Sequence, residues 1–322
     1  MVAWDLAVLV LSVIVLARSS SFAVGNVEKL SRFFGISQVA IGMLLIAAAT
    51  TLPELSVSVT SSSMGEGAIA AGNVFGSIIA NILLILGIGA VLYGIKVNHT
   101  DMKDIGFALL LTTLISVYII FNGSVEQRIL GFPEGAVLLA IYCFHVWRIL
   151  NRKRIADPDG DGNVTKDEAM QAFIFFIIGI FIVIASSGFV VSSAVSLARQ
   201  IGVAESFIGA TIIAVGTSLP ELSIALQAIR RKSYGIALGN IMGANISDMT
   251  LVLGVAAAIN PIEVRLPIFV GALLFAVIAN SILLYVTAVN KGLKRLGGTL
   301  FLAIYALYLI VIFYLQIREL GS

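Results

Sequence analysis

Two stretches of this chain set a carboxylate, a proline and two hydroxyls inside otherwise apolar sequence. Residues 42–56 read GMLLIAAATTLPELS and residues 209–223 read GATIIAVGTSLPELS. Thr50 and Glu54 are four apart, so on a helix both face one way, and Thr217 and Glu221 repeat the spacing. Pro53 cannot donate a backbone hydrogen bond, which frees the carbonyl of Ala49; Pro220 does the same for Gly216. Carboxylate, hydroxyl and carbonyl oxygens together are the shell that hard cations such as Ca2+ take. If the stretch lies in lipid, an ionised carboxylate at the bilayer centre costs roughly 2.5–3.5 kcal/mol. A bound cation, a proton or an ion pair must offset that cost.

A second doubled pattern follows each copy. Gly72, Asn73, Gly76, Ser77 and Asn81 match Gly239, Asn240, Gly243, Ala244 and Asp248. Ser77 and Asn81 are again four apart, and Asp248 adds a third acid within apolar sequence. The four glycines are expected to let helices approach closely. Glu54, Glu221 and Asp248 have no Lys or Arg in the nearby apolar runs, so metal ions or protons are their expected partners. His99 and His145 lie away from the acids and form no Cys/His cluster, which gives them structural roles.

The elements that must carry these residues are membrane helices. The chain is 59% hydrophobic and 12% charged, whereas a soluble domain carries about a quarter charged residues. Ten apolar runs are long enough to cross hydrocarbon, at about 3–24, 36–63, 68–93, 104–121, 131–150, 170–197, 205–229, 235–258, 266–288 and 297–316. The first is expected to be a membrane helix rather than a cleaved leader, because no basic residue precedes Arg18. Alternate loops, with the adjoining span ends, hold 16 of the 20 Lys and Arg residues, and the opposite set holds only Arg128, Arg199, Arg265 and Arg318. The positive-inside rule then puts both termini outside and the 151–169 linker in the cytoplasm, in what is expected to be the cell membrane. Trp4 and Trp147 near run ends read as interface anchors. The single Cys143 excludes an internal disulfide. Long apolar runs point to a lipid bilayer and the acids inside them to metal ions as partners, and no nucleic-acid partner is expected.

The offset of 167 positions that maps Glu54 onto Glu221 also maps Ser19, Ser20 and Phe22 onto Ser186, Ser187 and Phe189, and Gly87 onto Gly254. The organisation expected is therefore all-α and polytopic: residues 1–150 as a first repeat of five helices, 151–169 as a linker, and 170–322 as a second repeat of five. An odd number of spans per half inverts the second half. Inverted repeats mark secondary transporters, with the site near the midplane between the halves.

The doubled T-[ST]-L-P-E followed by G-N-x-x-G-x resembles the α-repeats of the cation/Ca2+ exchanger superfamily, nearest its prokaryotic Na+/Ca2+ exchanger branch. The resemblance covers nearly the whole chain. It implies ten helices in two inverted halves, with ions held between spans two, three, seven and eight. It also implies that spans one and six slide past this core to alternate access. By position it implies that Glu54 and Glu221 hold Ca2+ with Thr50 and Thr217, and that Ala47 and Ala214 contribute carbonyls. Thr51, Ser77, Asn81, Ser218 and Asp248 would complete the Na+ and central positions. The chain departs from the family pattern at Ala244, where Ser is usual, at Ala49, where Gly is usual, and at Thr51, which keeps the hydroxyl of the usual Ser.

The linker carries its own motif. Residues 157–168 read DPDGDGNVTKDE and fit the twelve-position EF-hand loop. Asp157, Asp159 and Asp161 take positions one, three and five, and Gly162 makes the turn. Asn163 offers a carbonyl, Thr165 takes position nine, and Glu168 is the bidentate position. A cytosolic Ca2+ site is expected here.

The function expected is antiport of Ca2+ against Na+, with H+/Ca2+ exchange as the alternative because Ala244 removes one side-chain oxygen. A cation channel and an intramembrane hydrolase fit less well. The oxygens form one doubled cluster rather than a pore lining, and no His or Lys adjoins Thr50 or Ser218 as a base. The chain is not expected to be an enzyme.

Overall fold

The computed structural model describes residues 2–65, 67–98, 101–121, 128–151, 164–200, 214–264 and 266–320. Nearly all of them are helical. Seven helices are long and apolar enough to cross a membrane, and an eighth candidate is a bent pair, Gln38–Thr50 with Leu52–Ser63. The bend is 46° and sits at Thr51. Pro53 lies in the first turn of the second piece, where its missing N–H breaks no internal bond. Leu266–Asn290 is a further apolar helix, of 25 residues. Of the run expected at 205–229, only the part from Ala214 falls within the described residues.

Two helices outrun their expected limits. Val2–Phe34 has 33 residues and Lys166–Gln200 has 35. At 1.5 Å per residue each is about 50 Å long, well beyond the ~30 Å of hydrocarbon. Apolar content sets how much of a helix lies in lipid, not where the helix stops. The two pack against each other along their lengths, and Asp5 near the start of one accepts hydrogen bonds from Ser196 (2.9 Å) and Gln200 of the other.

The secondary structure repeats at the sequence offset. Ala47–Thr50 followed by Leu52–Ser63 corresponds to Ala214–Thr217 followed by Leu219–Arg230. Gly67–Ile79 widens into a π turn at Ala80–Ile85, and Tyr234–Ser247 does so at Asp248–Val252. Each π turn thus starts at, or one residue before, the Asn81/Asp248 pair. Such bulges inside α-helices occur often at functional sites. A third π turn covers Gly42–Ile46.

Two short antiparallel ladders were not expected from the sequence. Ile95–Lys96 pairs with Gly292–Leu293, and Arg128–Leu130 pairs with Ile262–Val264. Each joins loops that the charge alternation assigns to the same membrane face. The ion pairs Arg148–Asp104 (3.7 Å) and Arg231–Glu28 (3.5 Å) obey the same assignment. His145 is buried and stacks on Phe107, a ring that the Arg148 guanidinium also covers, so its place is structural. His99 lies outside the described residues.

The core gathers on the helices that carry the motifs. Gly42, Gly239 and Gly243 bring the 38–50 and 234–247 helices into backbone contact. A Cβ at Gly243 would lie 2.6 Å from the Met43 Cα and 2.7 Å from the Ala47 Cβ; one at Gly42 would lie 2.8 Å from the Ile236 carbonyl oxygen. Close packing is thus the role of these glycines. A Cβ at Gly72 or Gly76 meets no described atom within 4 Å. The residues that the repeat would set against them, 206 and 210, lie outside the described set. Gly243→Ala is expected to lower stability by about 1–3 kcal/mol through overpacking, read as a fall in the thermal midpoint of the detergent-purified protein.

Candidate ion-binding site

Glu54 sits one turn beyond the break at Thr51, and Glu221 one turn beyond the break at Ser218. Each break re-aims the chain, so the carboxylate enters the protein rather than continuing the apolar face. Glu54, Glu221, Asp248, Thr50, Thr51, Ser77, Asn81 and Ser218 are all buried, none more than 3% exposed. Thr217 is half-buried. Asp248 heads its π turn, which packs on the 52–63 and 67–79 helices that bear Glu54 and Ser77.

Hydrogen bonds tie the two copies together. Ser218 Oγ donates to Glu54 Oε1 at 3.5 Å and lies 3.2 Å from Ser77 Oγ. Thr50 Oγ1 donates to Asn240 Oδ1 at 3.3 Å, and Thr217 Oγ1 to Asn73 Oδ1 at 3.4 Å. The same two amides donate to the backbones of the acids, Asn73 Nδ2 to the Glu54 carbonyl (3.2 Å) and Asn240 Nδ2 to the Glu221 carbonyl (3.5 Å). Each asparagine therefore fastens its own copy's glutamate to the other copy's threonine. Asn81 Nδ2 donates to Asn245 Oδ1 at 2.9 Å.

Reading the sequence did not place Asn73, Asn240 or Asn245 in the site. The first two had a visible signal, since each follows the first glycine of its repeat and is polar within an apolar run. Asn245 had none from the repeat, because its counterpart is Ile78.

Several oxygens are left over. Glu54 Oε2, both carboxylate oxygens of Glu221, Asp248 Oδ1 and Asn81 Oδ1 are buried without a hydrogen-bond partner among the described residues. No Lys or Arg reaches them among the ion pairs described. Buried carboxylate oxygens are costly unless paired or bound to metal, so the donor set fits a hard cation. Among the described residues no three His, Cys, Asp or Glu side chains converge closely enough to hold a metal alone. The remaining ligands must come from neutral oxygens, which Ca2+ and Na+ readily take.

Ala244 brings no hydroxyl to its position. Ser77 meets Ser218, but the equivalent pairing of Ala244 with Thr51 lacks one hydroxyl. Thr51 Oγ1 instead donates to the Ala47 carbonyl of its own helix at 2.6 Å. That carbonyl also accepts from the Thr51 N–H (3.0 Å) and from Thr50 Oγ1 (3.4 Å). Ala214 lies at the start of its short helix, one turn before Ser218.

In the linker, Asp157, Asp159, Asp161 and Asn163 lie outside the described residues. Thr165 and Glu168 are described and cap the helix that begins at Lys166, four residues earlier than expected. Glu168 Oε2 accepts from the Thr165 N–H (2.8 Å), and Thr165 Oγ1 accepts from the Glu168 N–H (3.3 Å).

Residues 4–151 and 171–314 each match the sodium/calcium exchanger protein family, one match per half of the chain. An uncharacterized membrane protein of Methanocaldococcus jannaschii is 31% identical over 296 residues, covering 92% of this chain and 93% of its own. Sodium/calcium exchanger MaX1 of Methanosarcina acetivorans is 26% identical, with 98% of this chain and 100% of its own covered. The structure of the sodium-calcium exchanger NCX_Mj soaked with 10 mM Na+ and zero Ca2+ superposes with a TM-score of 0.82 at 30% identity, covering 95% of this chain and 98% of that one. With the match to both halves and a fold shared along nearly its whole length, the chain belongs to the sodium/calcium exchanger protein family, whose members are membrane-embedded cation/Ca2+ antiporters.

Proposed function

We propose that the chain exchanges Ca2+ for Na+ by alternating access at the cage between its two copies. One observation carries the reading: Glu54 and Glu221 are buried, symmetry-related and short of partners, within reach of hydroxyl and amide oxygens from both copies. Ca2+ would be held by Glu54, Glu221, Thr50 and Thr217, with the carbonyls of Ala47 and Ala214. Na+ would use Thr51, Ser77, Asn81, Ser218 and Asp248 together with the same two glutamates. Shared carboxylates make the ions compete, and an uncompensated cage is costly to carry past apolar surroundings. The protein then reorients only when loaded. Ten spans in two inverted repeats, with both termini outside the cell membrane, give this cage its two-fold setting.

The test is Ca2+ flux in proteoliposomes with Na+, K+ and H+ gradients imposed one at a time. A Na+ gradient alone is expected to drive flux. The second reading, H+/Ca2+ exchange, draws on the hydroxyl missing at Ala244 and on the Thr51 hydroxyl being bonded to its own helix's Ala47 carbonyl. It wins if a pH gradient drives flux and a Na+ gradient does not.

The linker loop is a separate proposal, a regulatory Ca2+ site formed by Asp157, Asp159, Asp161, Asn163, Thr165 and Glu168. Thr165–Glu168 capping suits it, because positions nine and twelve of such a loop open the following helix. In a Glu54→Gln background, which disables the cage, the full chain should still bind about one Ca2+. Adding Asp157→Ala and Asp161→Ala, which spare the cap, should remove it; unchanged binding would refute the site.

A further inference from the structure

Three arginines meet in one cleft, two of them on the side the charge alternation assigns to the cytoplasm, and ion exchange does not call on them. Ala17, Arg18 and Ser21 of the first helix and Gln227, Arg230 and Arg231 at the end of the 219–230 helix line a cavity of about 500 Å3. Arg231 is partly compensated. It lies 3.5 Å from Glu28, which also accepts from Ser233, and its Nη2 donates to Ser21 Oγ at 3.0 Å. Arg18 and Arg230 have no acidic partner among the described residues.

Setting membrane topology requires basic residues in a loop, not their convergence on one cavity. Each guanidinium presents a fork of donors and no acceptor, and Ser21 and Gln227 add hydroxyl and amide donors. Such a set suits an anion with several acceptor oxygens. We propose that this cleft binds a phosphate-bearing anion, the chemistry shared by anionic lipid headgroups and soluble phosphate. Bound there, the anion joins two elements. Arg18 belongs to the first helix, and Arg230 belongs to the helix that starts next to Glu221. The same two helices already touch below the cleft, where Ser20 Oγ donates to Ser223 Oγ at 2.7 Å.

The cleft is one-sided. The repeat places Ala185, Gly188, Ser63 and Met64 where Arg18, Ser21, Arg230 and Arg231 stand in the other half. An occupant therefore fastens the first helix to the core at one face only and biases the protein toward the state closed at that face. This consequence rests on the exchange reading; the binding itself does not.

Native mass spectrometry of the detergent-purified full chain with added phosphatidylglycerol tests the binding. The natural sequence is expected to retain the lipid. R18Q/R230Q should bind it about thirtyfold more weakly, at roughly a tenfold factor or less per basic contact near a membrane surface. R18K/R230K keeps the charges and should retain most of it. K29Q/R32Q removes two exposed charges from the same face and should bind normally. Equal weakening in R18Q/R230Q and K29Q/R32Q, or full retention in R18Q/R230Q, overturns the site. Displacement of the lipid by inorganic phosphate makes soluble phosphate the occupant, and persistence of the lipid makes it the headgroup; either result supports the cleft. The readout does not depend on flux, so its failure leaves ion exchange standing, and failed exchange leaves the cleft standing.

Discussion

Glu54→Gln and Glu221→Gln are each expected to cut Na+-driven Ca2+ flux by at least about a hundredfold, since ligand charge tunes Ca2+ affinity over orders of magnitude. The substitution keeps size and shape and removes one negative charge from the cage. It also replaces with a neutral amide a buried carboxylate that has one hydrogen-bonded oxygen in Glu54 and none in Glu221 among the described residues. The variants should therefore be no less stable than the natural protein in an ion-free buffer, because a desolvated charge has been removed. The two proteins should separate when Ca2+ is added. A ligand at a hundred times its dissociation constant stabilises the native state by about 2.7 kcal/mol, and only the protein with both glutamates should show that rise in thermal midpoint. A variant that loses flux but keeps the Ca2+-dependent rise would move the binding role away from the glutamates. One that loses stability in ion-free buffer would make them structural.

The site was legible in the sequence where chemistry appeared twice. Glu54 and Glu221, and Thr50 and Thr217, stood out as polar residues in apolar runs, and their doubling argued against chance. The structure buries both glutamates and Thr50 and leaves Thr217 half-buried. Partners across the repeat were not legible, since spacing along a helix says which way a residue points and not what it meets. Asn240 bonds to a threonine 190 positions away. Helix ends were legible only to the extent that apolar content stops with the helix, which fails for Val2–Phe34 and Lys166–Gln200. The two ladders involve two or three residues each, too few for an alternating pattern to register.

The asparagines yield the other large effect, and it should be unequal between the copies. Asn240→Leu conserves much of the volume and removes both bonds of the amide. The Thr50 hydroxyl then loses its acceptor on the opposite copy, and the Glu221 carbonyl loses a donor, both in a fully buried setting. Each orphaned group costs about 1–3 kcal/mol. If that cost falls on the loaded cage, Ca2+ affinity should drop by roughly a hundredfold. Asn73 makes the matching bonds to Thr217 and Glu54, and a further one to Ser58 Oγ at 3.0 Å, but is half-buried, as is Thr217. Water can take over part of what Asn73→Leu removes, so that variant should lose about tenfold or less. The comparison uses one substitution at two positions related by the repeat, so the side chain exchanged is the same, and burial and the Ser58 bond of Asn73 are the differences. Equal losses at the two positions would show that the amides act only through the local helix bend, because that geometry is the same in both copies.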